Sequence, residues 1–318
     1  MSFIDELFLD PELQAAPPVL VDVGASGGTH DLWQQIARHS IGVGFEPDRR
    51  EISALAPAQQ NFRRWVFSDR LVVADQDARE TKLYLTRSPF CSSTLLPDSS
   101  ALAKWSFAEL FEVVDSRTCP ATTLQSLLQQ HGLEHLDWLK CDTQGTDLRI
   151  FQSLPPARRS RVLAVEFEPG IIDAYHGEDK FSDILVAMQS EPYWLAKLEV
   201  HGVPRGSSEM LDRRLGVTWG RQYRRLGPIG PGWVNATYLR RFSLKDDLGR
   251  REFLLGWIFA SLFGQPAEAL QVAEIGKQKF GDPLFDRLAK ASVRQMRQCV
   301  LRPWSRWPGI IWGKLTGG

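Results

Sequence analysis

The feature that most constrains the fold is a regular alternation of short apolar runs and amphipathic stretches over the first two-thirds of the chain. A short run rich in Val, Ile and Phe that ends at Gly or an acidic residue predicts a buried strand. An amphipathic stretch between two such runs predicts a helix packed on the sheet. The predicted strands cover residues 18–24, 41–47, 63–69, 136–142, 161–169 and 193–202, and the predicted helices cover 29–40, 122–132, 146–154 and 181–190. Two further apolar alternations within residues 71–85 predict a hairpin. The alternation predicts an α/β fold with a mostly parallel sheet and helices on both faces.

The pattern changes near residue 243. Residues 245–298 have helical periodicity interrupted by Gly-Gln-Pro at 264–266 and Gly-Asp-Pro at 281–283, which predicts about three helices with short turns. We therefore divide the chain into a domain over residues 1–243 and a small all-α region over residues 244–318. The segment AEALQVAEIGKQKFGD resembles one tetratricopeptide-like helical pair, and a helical cap on the main domain is the alternative.

Composition excludes several classes of protein. Lys plus Arg and Asp plus Glu both number 38, so the formal charge is zero and nucleic acid is not an expected partner. The four cysteines lack CxxC spacing, which indicates a reducing, cytoplasmic location rather than a disulfide scaffold or zinc ribbon. The acidic N-terminus lacks a basic region followed by an apolar core, so it is not expected to be a signal peptide. The longest apolar run, residues 253–263, is too short to cross a bilayer, which takes about 20 residues, and predicts a buried helix.

The C-terminal tail is basic and rich in tryptophan. From Ser292 onward the chain has five basic residues, no acidic residue, and tryptophans at 304, 307 and 312. This mixture is typical of a membrane interface, so residues 302–314 are a candidate for contact with the inner face of the membrane. The alternative is a tail whose tryptophans dock on the helical region.

A glycine-rich loop follows the first predicted strand and precedes a helix. Its sequence, DVGASGGT, allows a ligand to approach the backbone and predicts a nucleotide or nucleoside site. It matches neither the dinucleotide fingerprint nor a P-loop.

Glu46 ends the second strand, 22 residues after Gly24, where a carboxylate can bind both ribose hydroxyls. Asp69 ends the third strand and is a candidate contact for an adenine amino group.

Four motifs together resemble the FkbM-type S-adenosylmethionine-dependent methyltransferases. They are DVGASGG, GFEP, LKCDTQGTDLRIFQSL and LAVEFEP, and the FCSSTLL segment at residues 90–96 is similar to a Ser-Ser loop of that family. The resemblance covers residues 18–240. The chain departs from the family pattern at Gln144 and Asp147, where the family usually has Glu, and Gln144 cannot act as a base or a charged metal ligand.

The resemblance implies a class I, Rossmann-like methyltransferase fold with a seven-stranded sheet and S-adenosylmethionine across the carboxyl ends of its strands. Asp142 would then lie beside the transferred methyl group, and Lys140 would contact the acceptor. The other cofactor contacts implied are Asp22, Gly24, Ala25, Ser26, Gly28, Glu46, Pro47, Ser68 and Asp69.

Methyl transfer to oxygen benefits from a base that removes the hydroxyl proton. The candidates are Asp142, Glu166, Glu168, His176 and His201, of which Asp142, Glu166 and His176 are preferred. Only one of Glu166 and Glu168 is expected to point into the cleft. No tight cluster of metal ligands is visible, so no metal is predicted.

Residues 205–225 contain six arginines and are predicted to form a loop near the substrate mouth. Arg221 and Arg224 are candidates for binding an anionic acceptor. The predicted function is O-methylation of a sugar hydroxyl on a cell-surface or lipid-linked glycan, or on a glycosylated natural product. The alternatives are a cofactor-binding pseudoenzyme or interaction module that uses the helical region, and a nucleotide-binding oxidoreductase. The oligomeric state stays open.

Overall fold

The computed structural model describes residues 2–25, 30–48, 50 and 61–301. The chain divides into two compact units, one formed by residues 13–240 and the other by residues 1–12 together with 241–318. The predicted boundary at residue 243 lies close to the junction at 240/241. The sequence pattern gave no sign that the N-terminal residues belong with the C-terminal helices.

The larger unit contains a seven-stranded sheet in the order β3-β2-β1-β7-β8-β10-β9. The β8–β10 and β10–β9 pairs are antiparallel, and the other four pairs of adjacent strands in this sheet are parallel. The predicted mostly parallel α/β sheet is therefore confirmed. The strands are β1 Val19–Val23, β2 Ile41–Phe45, β3 Arg64–Ser68, β7 Trp138–Cys141, β8 Ala164–Phe167, β9 Tyr193–Val203 and β10 Gly230–Arg240.

The central strands are buried on both faces, as their apolar sequences predict. Every residue of β1 is buried, including Asp22. Helix Leu124–Gln130 covers the sheet with Leu124, Leu127 and Leu128, and Thr123 caps it by accepting from the Ser126 N–H at 3.1 Å. The other helices of this part of the chain are Pro11–Ala15, Ser99–Leu102, Asp147–Gln152, Pro156–Arg159, Phe181–Met188, Ser208–Leu215 and Val217–Leu226.

A second, three-stranded sheet replaces the predicted hairpin at residues 71–85. Its strands are β4 Leu71–Val72, β5 Glu80–Thr86 and β6 Val113–Thr122, in the order β4-β6-β5. The hairpin prediction is wrong because both short strands pair with β6 instead of with each other. The sequence did not predict β6, since its exposed polar residues hide the strand pattern.

Two other local predictions are corrected. The predicted helix at residues 29–40 is a pair of 3-10 turns, Asp31–Gln35 and Ala37–His39, separated at Ile36, where φ is −123°. The predicted loop at residues 205–225 is largely helical. Gly216, with φ +78°, joins its two helices, and Ser207 caps the first by accepting from the Met210 N–H at 3.2 Å.

The smaller unit is helical, with helices Phe3–Leu7, Arg250–Leu262, Pro266–Phe280 and Leu284–Leu301. The apolar run at residues 253–263 forms most of the second of these, and its buried face confirms the predicted buried helix. Trp257 donates to Ser292 Oγ at 2.9 Å. Arg250 pairs with Asp10 and Asp282, each at 2.7 Å. No helix in the described part of the chain is long and apolar enough to span a bilayer.

Candidate active site

The site lies at the carboxyl ends of the central strands. The sheet order reverses between β1 and β7, and in open α/β sheets ligands bind at such a switch point. Gly24 follows β1, Glu46 follows β2 and Asp142 follows β7, and all three line one cleft. We call this the nucleoside cleft.

Gly24 brings the ends of β1 and β7 together. Its φ is +86°, and a Cβ at this position would lie 2.0 Å from the backbone oxygen of Asp142. The Asp142 N–H donates to the Val23 oxygen at 2.9 Å. Ala25 is fully buried, and its N–H donates to the Phe45 oxygen at 3.0 Å. Only glycine fits at position 24, because any Cβ would collide with the Asp142 backbone. Gly24 therefore allows the backbone after β1 to approach Asp142 closely.

Glu46 is a buried carboxylate at the tip of β2. Its Oε1 accepts from the Asp48 N–H at 2.7 Å, while its own N–H donates to the Ser68 oxygen at 3.2 Å. Pro47 lines the cleft beside it, and the Pro47 oxygen accepts from the Arg117 guanidinium. The carboxylate of Glu46 therefore lines the cleft in an orientation fixed by its hydrogen bond from the Asp48 N–H.

The wall next to Glu46 is apolar and differs from the predicted one. Leu71, Val72 and Leu83 line it. Asp69 is exposed and Ser68 Oγ accepts from the Arg70 N–H, and neither is among the lining residues. The small second sheet supplies this wall, which the sequence could not indicate because that sheet was not predicted.

A hydrogen-bond chain crosses the site from Asp142. Gln144 Nε2 donates to Asp142 Oδ1 at 2.7 Å, and the Tyr175 hydroxyl lies 3.1 Å from Gln144 Oε1 and 2.8 Å from the Cys91 oxygen. Ser93 Oγ donates to the Gln144 backbone oxygen at 2.8 Å. Gln144 has φ +57°, a left-handed conformation that is uncommon outside glycine. These contacts hold Gln144 in that conformation.

A second cavity of about 340 Å³ adjoins the first. Asp142, Gln144 and Phe90 line both. Its walls are aromatic and acidic, and Lys, Arg and His are absent from its described lining. The aromatic members are Phe90, Phe107, Phe111, Tyr175 and Trp233, and the acidic members are Asp142, Glu168 and Glu178. We call it the aromatic cavity.

Glu168 is hydrogen-bonded to Asp142 inside the aromatic cavity. Burial first, and then the Asp142 carboxylate, raise the pKa of Glu168 far above its usual range, so Glu168 is protonated at neutral pH. The Glu168 N–H donates to Asp147 Oδ2 at 2.8 Å, and Thr143 donates to Asp147 Oδ1 from its N–H and its hydroxyl. Burial raises the pKa of Asp147 to about 6. Asp147 thus holds the backbone of Thr143, which follows Asp142, and the backbone of Glu168.

Glu166, a preferred candidate base, lines neither cavity. Its Oε1 accepts from Trp138 Nε1 at 2.6 Å, and its Oε2 is 3.2 Å from His30 Nε2. Of the two glutamates, only Glu168 lines the aromatic cavity. The strand ends at Phe167, so the chain leaves the regular alternation between these positions.

Lys140 forms a partly buried ion pair at 2.9 Å with the fully buried Asp22, where β1 and β7 are in register. Burial raises the pKa of Asp22 despite this partner, and its Oδ2 accepts no hydrogen bond within the described structure. Neighbouring carboxylates, Asp22 foremost, outweigh burial and raise the pKa of Lys140. Lys140 is not among the residues that line either cavity.

The remaining candidates lie apart from the Asp142 cluster. The His176 side chain is largely exposed, with Nδ1 3.8 Å from Asp98. His201 stacks on Trp233 with ring centroids 5.7 Å apart. Arg224 pairs with Asp212 at 2.7 Å, and Arg221 is exposed. Ser26, Gly28 and residues 302–314 lie outside the described residues.

Sequence reasoning missed the aromatic walls. Phe107 and Trp233 are separated by more than a hundred residues, and their rings meet with centroids 6.1 Å apart. Phe90 and Ser93 had a signal, because the FCSSTLL segment resembled a family loop. In the part of the chain that the structure describes, no group of His, Cys, Asp and Glu side chains could hold a metal ion.

The strand order, the antiparallel β10 and the cleft at the switch point define a Rossmann-like methyltransferase fold. Comparison with known families agrees: residues 22–194 match the family described as "Methyltransferase FkbM domain". The match covers more than half of the chain, and the chain belongs to this methyltransferase family. No curated protein matches it significantly.

Proposed function

We propose that the chain is an S-adenosylmethionine-dependent O-methyltransferase that methylates a sugar hydroxyl of a cell-surface or lipid-linked glycan or of a glycosylated natural product. The observation that carries the proposal is the meeting of two cavities at Asp142 and Gln144. A methyl donor and an acceptor must meet at one point. The nucleoside cleft has side chains suited to the donor, and the aromatic cavity has side chains suited to the acceptor.

The donor set of the nucleoside cleft fits S-adenosylmethionine. Glu46 offers a carboxylate for the ribose hydroxyls, and Leu71, Val72 and Leu83 offer an apolar wall for the adenine. Asp142 offers negative charge near a sulfonium. When bound, S-adenosylmethionine would supply an electrophilic methyl group, whose bond to sulfur breaks on transfer to leave neutral S-adenosylhomocysteine.

The aromatic cavity favours a neutral or cationic acceptor over an anionic one. Sugar rings pack their apolar faces on aromatic side chains such as Trp233, and carboxylates accept hydrogen bonds from sugar hydroxyls. The cavity has three acidic side chains, of which Glu168 is protonated at neutral pH, and within its described lining it has no cationic side chain. Arg221 and Arg224 therefore do not supply the acceptor contacts in this proposal.

The chain's own residues orient the acceptor and manage its proton. The aromatic walls exclude water and hold the acceptor hydroxyl near Asp142, which supplies much of the rate by orientation. Asp142 accepts the hydroxyl proton as the new O–CH₃ bond forms. Glu168, protonated, and Gln144 both donate hydrogen bonds to Asp142 and fix its orientation. The proton then leaves to solvent.

The test is methyl transfer by the full chain from labelled S-adenosylmethionine to a panel of neutral, amino and acidic glycans and glycosylated natural products. Turnover on a neutral or amino sugar that falls about 10²–10⁴-fold in Asp142→Asn supports the proposal. Binding of S-adenosylhomocysteine without turnover on any acceptor would favour the pseudoenzyme, and the absence of binding would favour an interaction module.

We also propose a cytoplasmic location, since all four cysteines are free thiols.

A further inference from the structure

Between β9 and β10 the chain forms an exposed amphipathic segment, residues 205–229, which we call the arginine segment. It consists of helices Ser208–Leu215 and Val217–Leu226 with their flanks. Trp219 is 73% exposed and Leu226 is 76% exposed. Large apolar side chains exposed together in this way mark an interaction surface.

The apolar side chains form one stripe on the second helix. Trp219, Tyr223 and Leu226 stand at positions i, i+4 and i+7 and are all exposed. Gly220 lies about a quarter turn around the helix from this stripe, it is buried, and a Cβ there would lie 2.1 Å from Asp212 Oδ1. This close approach fixes the rotation of the helix, so the exposed stripe lies on a different side of the helix from the contact with Asp212.

The same segment has a concentrated positive charge in a chain whose formal charge is zero. It contains six arginines and two carboxylates, a net charge of +4. Asp212 is paired with Arg224 at 2.7 Å. The arginines at 213, 214, 221 and 225 are exposed and have no ion-pair partner in the described part of the chain.

We propose that the arginine segment docks on an anionic lipid surface. A helix with Trp and Leu on one face and arginines on its polar face is the pattern of a helix that lies in a membrane interface, and each arginine near an anionic surface strengthens binding roughly fivefold. A second copy of the chain would bring like charges together, which favours lipid over self-association.

The segment is joined to the aromatic cavity through Trp105. Arg205 lies over the Trp105 ring at 5.5 Å, and the Trp105 and Phe107 centroids are 6.3 Å apart. Ser208 Oγ donates to the Ser106 oxygen at 2.8 Å. Docking would therefore hold the cavity near the lipid surface, where a lipid-linked acceptor is found; this last step alone rests on the proposed function.

The test is flotation of the full chain with vesicles of phosphatidylcholine alone and of an equal mixture with phosphatidylglycerol. We expect binding only to the anionic vesicles, reduced by salt, and slower hydrogen exchange in peptides from 205–229. Arg221→Gln/Arg225→Gln should weaken binding roughly twentyfold, and Trp219→Ser/Leu226→Ser should weaken it at least tenfold. Neither variant should change affinity for S-adenosylhomocysteine.

Two matched controls locate the contact. Arg64→Gln/Arg79→Gln removes two exposed arginines elsewhere in the same unit and should leave vesicle binding nearly unchanged. Trp304→Ser/Trp307→Ser/Trp312→Ser tests the tail, and substantial binding should remain. The proposal is overturned if the chain ignores anionic vesicles, if the arginine-segment variants bind like the unaltered chain, or if those substitutions instead dissociate a dimer.

Discussion

Gln144 Nε2 donates a hydrogen bond of 2.7 Å to Asp142 Oδ1 at the point where the two cavities meet. A glutamate, which the family pattern usually has at this position, could donate that bond only when protonated. The amide instead keeps a neutral donor beside the carboxylate. Gln144 therefore stabilises Asp142 as a hydrogen-bond acceptor while adding no charge to a cluster that already contains Glu168.

Replacing Gln144 by Glu tests this relationship. The variant loses the donor and adds a third carboxyl group, so like-charge repulsion makes the cluster take up an extra proton at neutral pH. We expect turnover to fall about tenfold at pH 7 and to recover as pH rises, which a pH–rate profile measures. The exposed change Gln129→Glu is the matched control. An unshifted profile in Gln144→Glu would contradict the assigned role.

Glu168 should make stability fall as pH rises. Its pKa is raised in the folded state, so the folded chain holds a proton that the unfolded chain has already lost. The stabilisation is complete below the unfolded pKa of 4.5 and is lost as pH rises toward about 9. Glu168→Gln should flatten this part of the melting-temperature profile, whereas Glu166→Gln should not. Equal slopes in Glu168→Gln and the unaltered chain would contradict the prediction.

Glu46 and Asp69 give opposite predictions for cofactor binding. Glu46→Gln should weaken S-adenosylhomocysteine by about 1–3 kcal/mol, the size of a charged hydrogen bond, because its buried carboxylate lines the cleft. Asp69→Asn should change affinity less than twofold, since Asp69 is exposed and outside the lining. Calorimetric titration measures both. A larger loss at Asp69 would restore the adenine contact expected from sequence alone.

Trp233 should contribute to acceptor binding and not to cofactor binding. Its ring lines the aromatic cavity and stacks on His201. We expect Trp233→Ala to raise the acceptor KM about tenfold, the equivalent of about 1.4 kcal/mol, with S-adenosylhomocysteine affinity unchanged. Phe67→Ala removes a partly exposed ring of β3 as a control. A matching loss of cofactor affinity would mean that Trp233 supports the whole site.

The sequence predicted the central sheet well because its strands are short apolar runs. Such runs are typical of parallel strands that are buried on both faces. The same pattern predicted that Gly24, Glu46 and Asp142 follow strand ends, because each directly follows such a run, and all three line one cleft. Glu168 was named as one of five candidate bases, but its pairing with Asp142 depends on the turn after β8.

The parts that escaped prediction depend on contacts between distant residues. Strand β6 is polar and exists because β4 and β5 pair with it on either side. Phe107 and Trp233 meet only in the folded chain. The arginine segment was taken for a loop because its charges and glycines conceal two helices whose rotation depends on Gly220 packing against Asp212.

Lys140 was expected to contact the acceptor, but in the structure it forms an ion pair with Asp22, and a substitution can distinguish these two roles. Its ammonium pairs with Asp22 in the buried centre of the sheet. Lys140→Met would leave the Asp22 carboxyl unpaired, and we expect about 3–5 kcal/mol less unfolding free energy by denaturant titration, limited by protonation of Asp22. Asp22→Asn/Lys140→Met should recover part of the loss, because the second change removes the unpaired acid. If Lys140→Met instead keeps full stability and raises the acceptor KM, the ammonium acts on the acceptor and the ion pair contributes little.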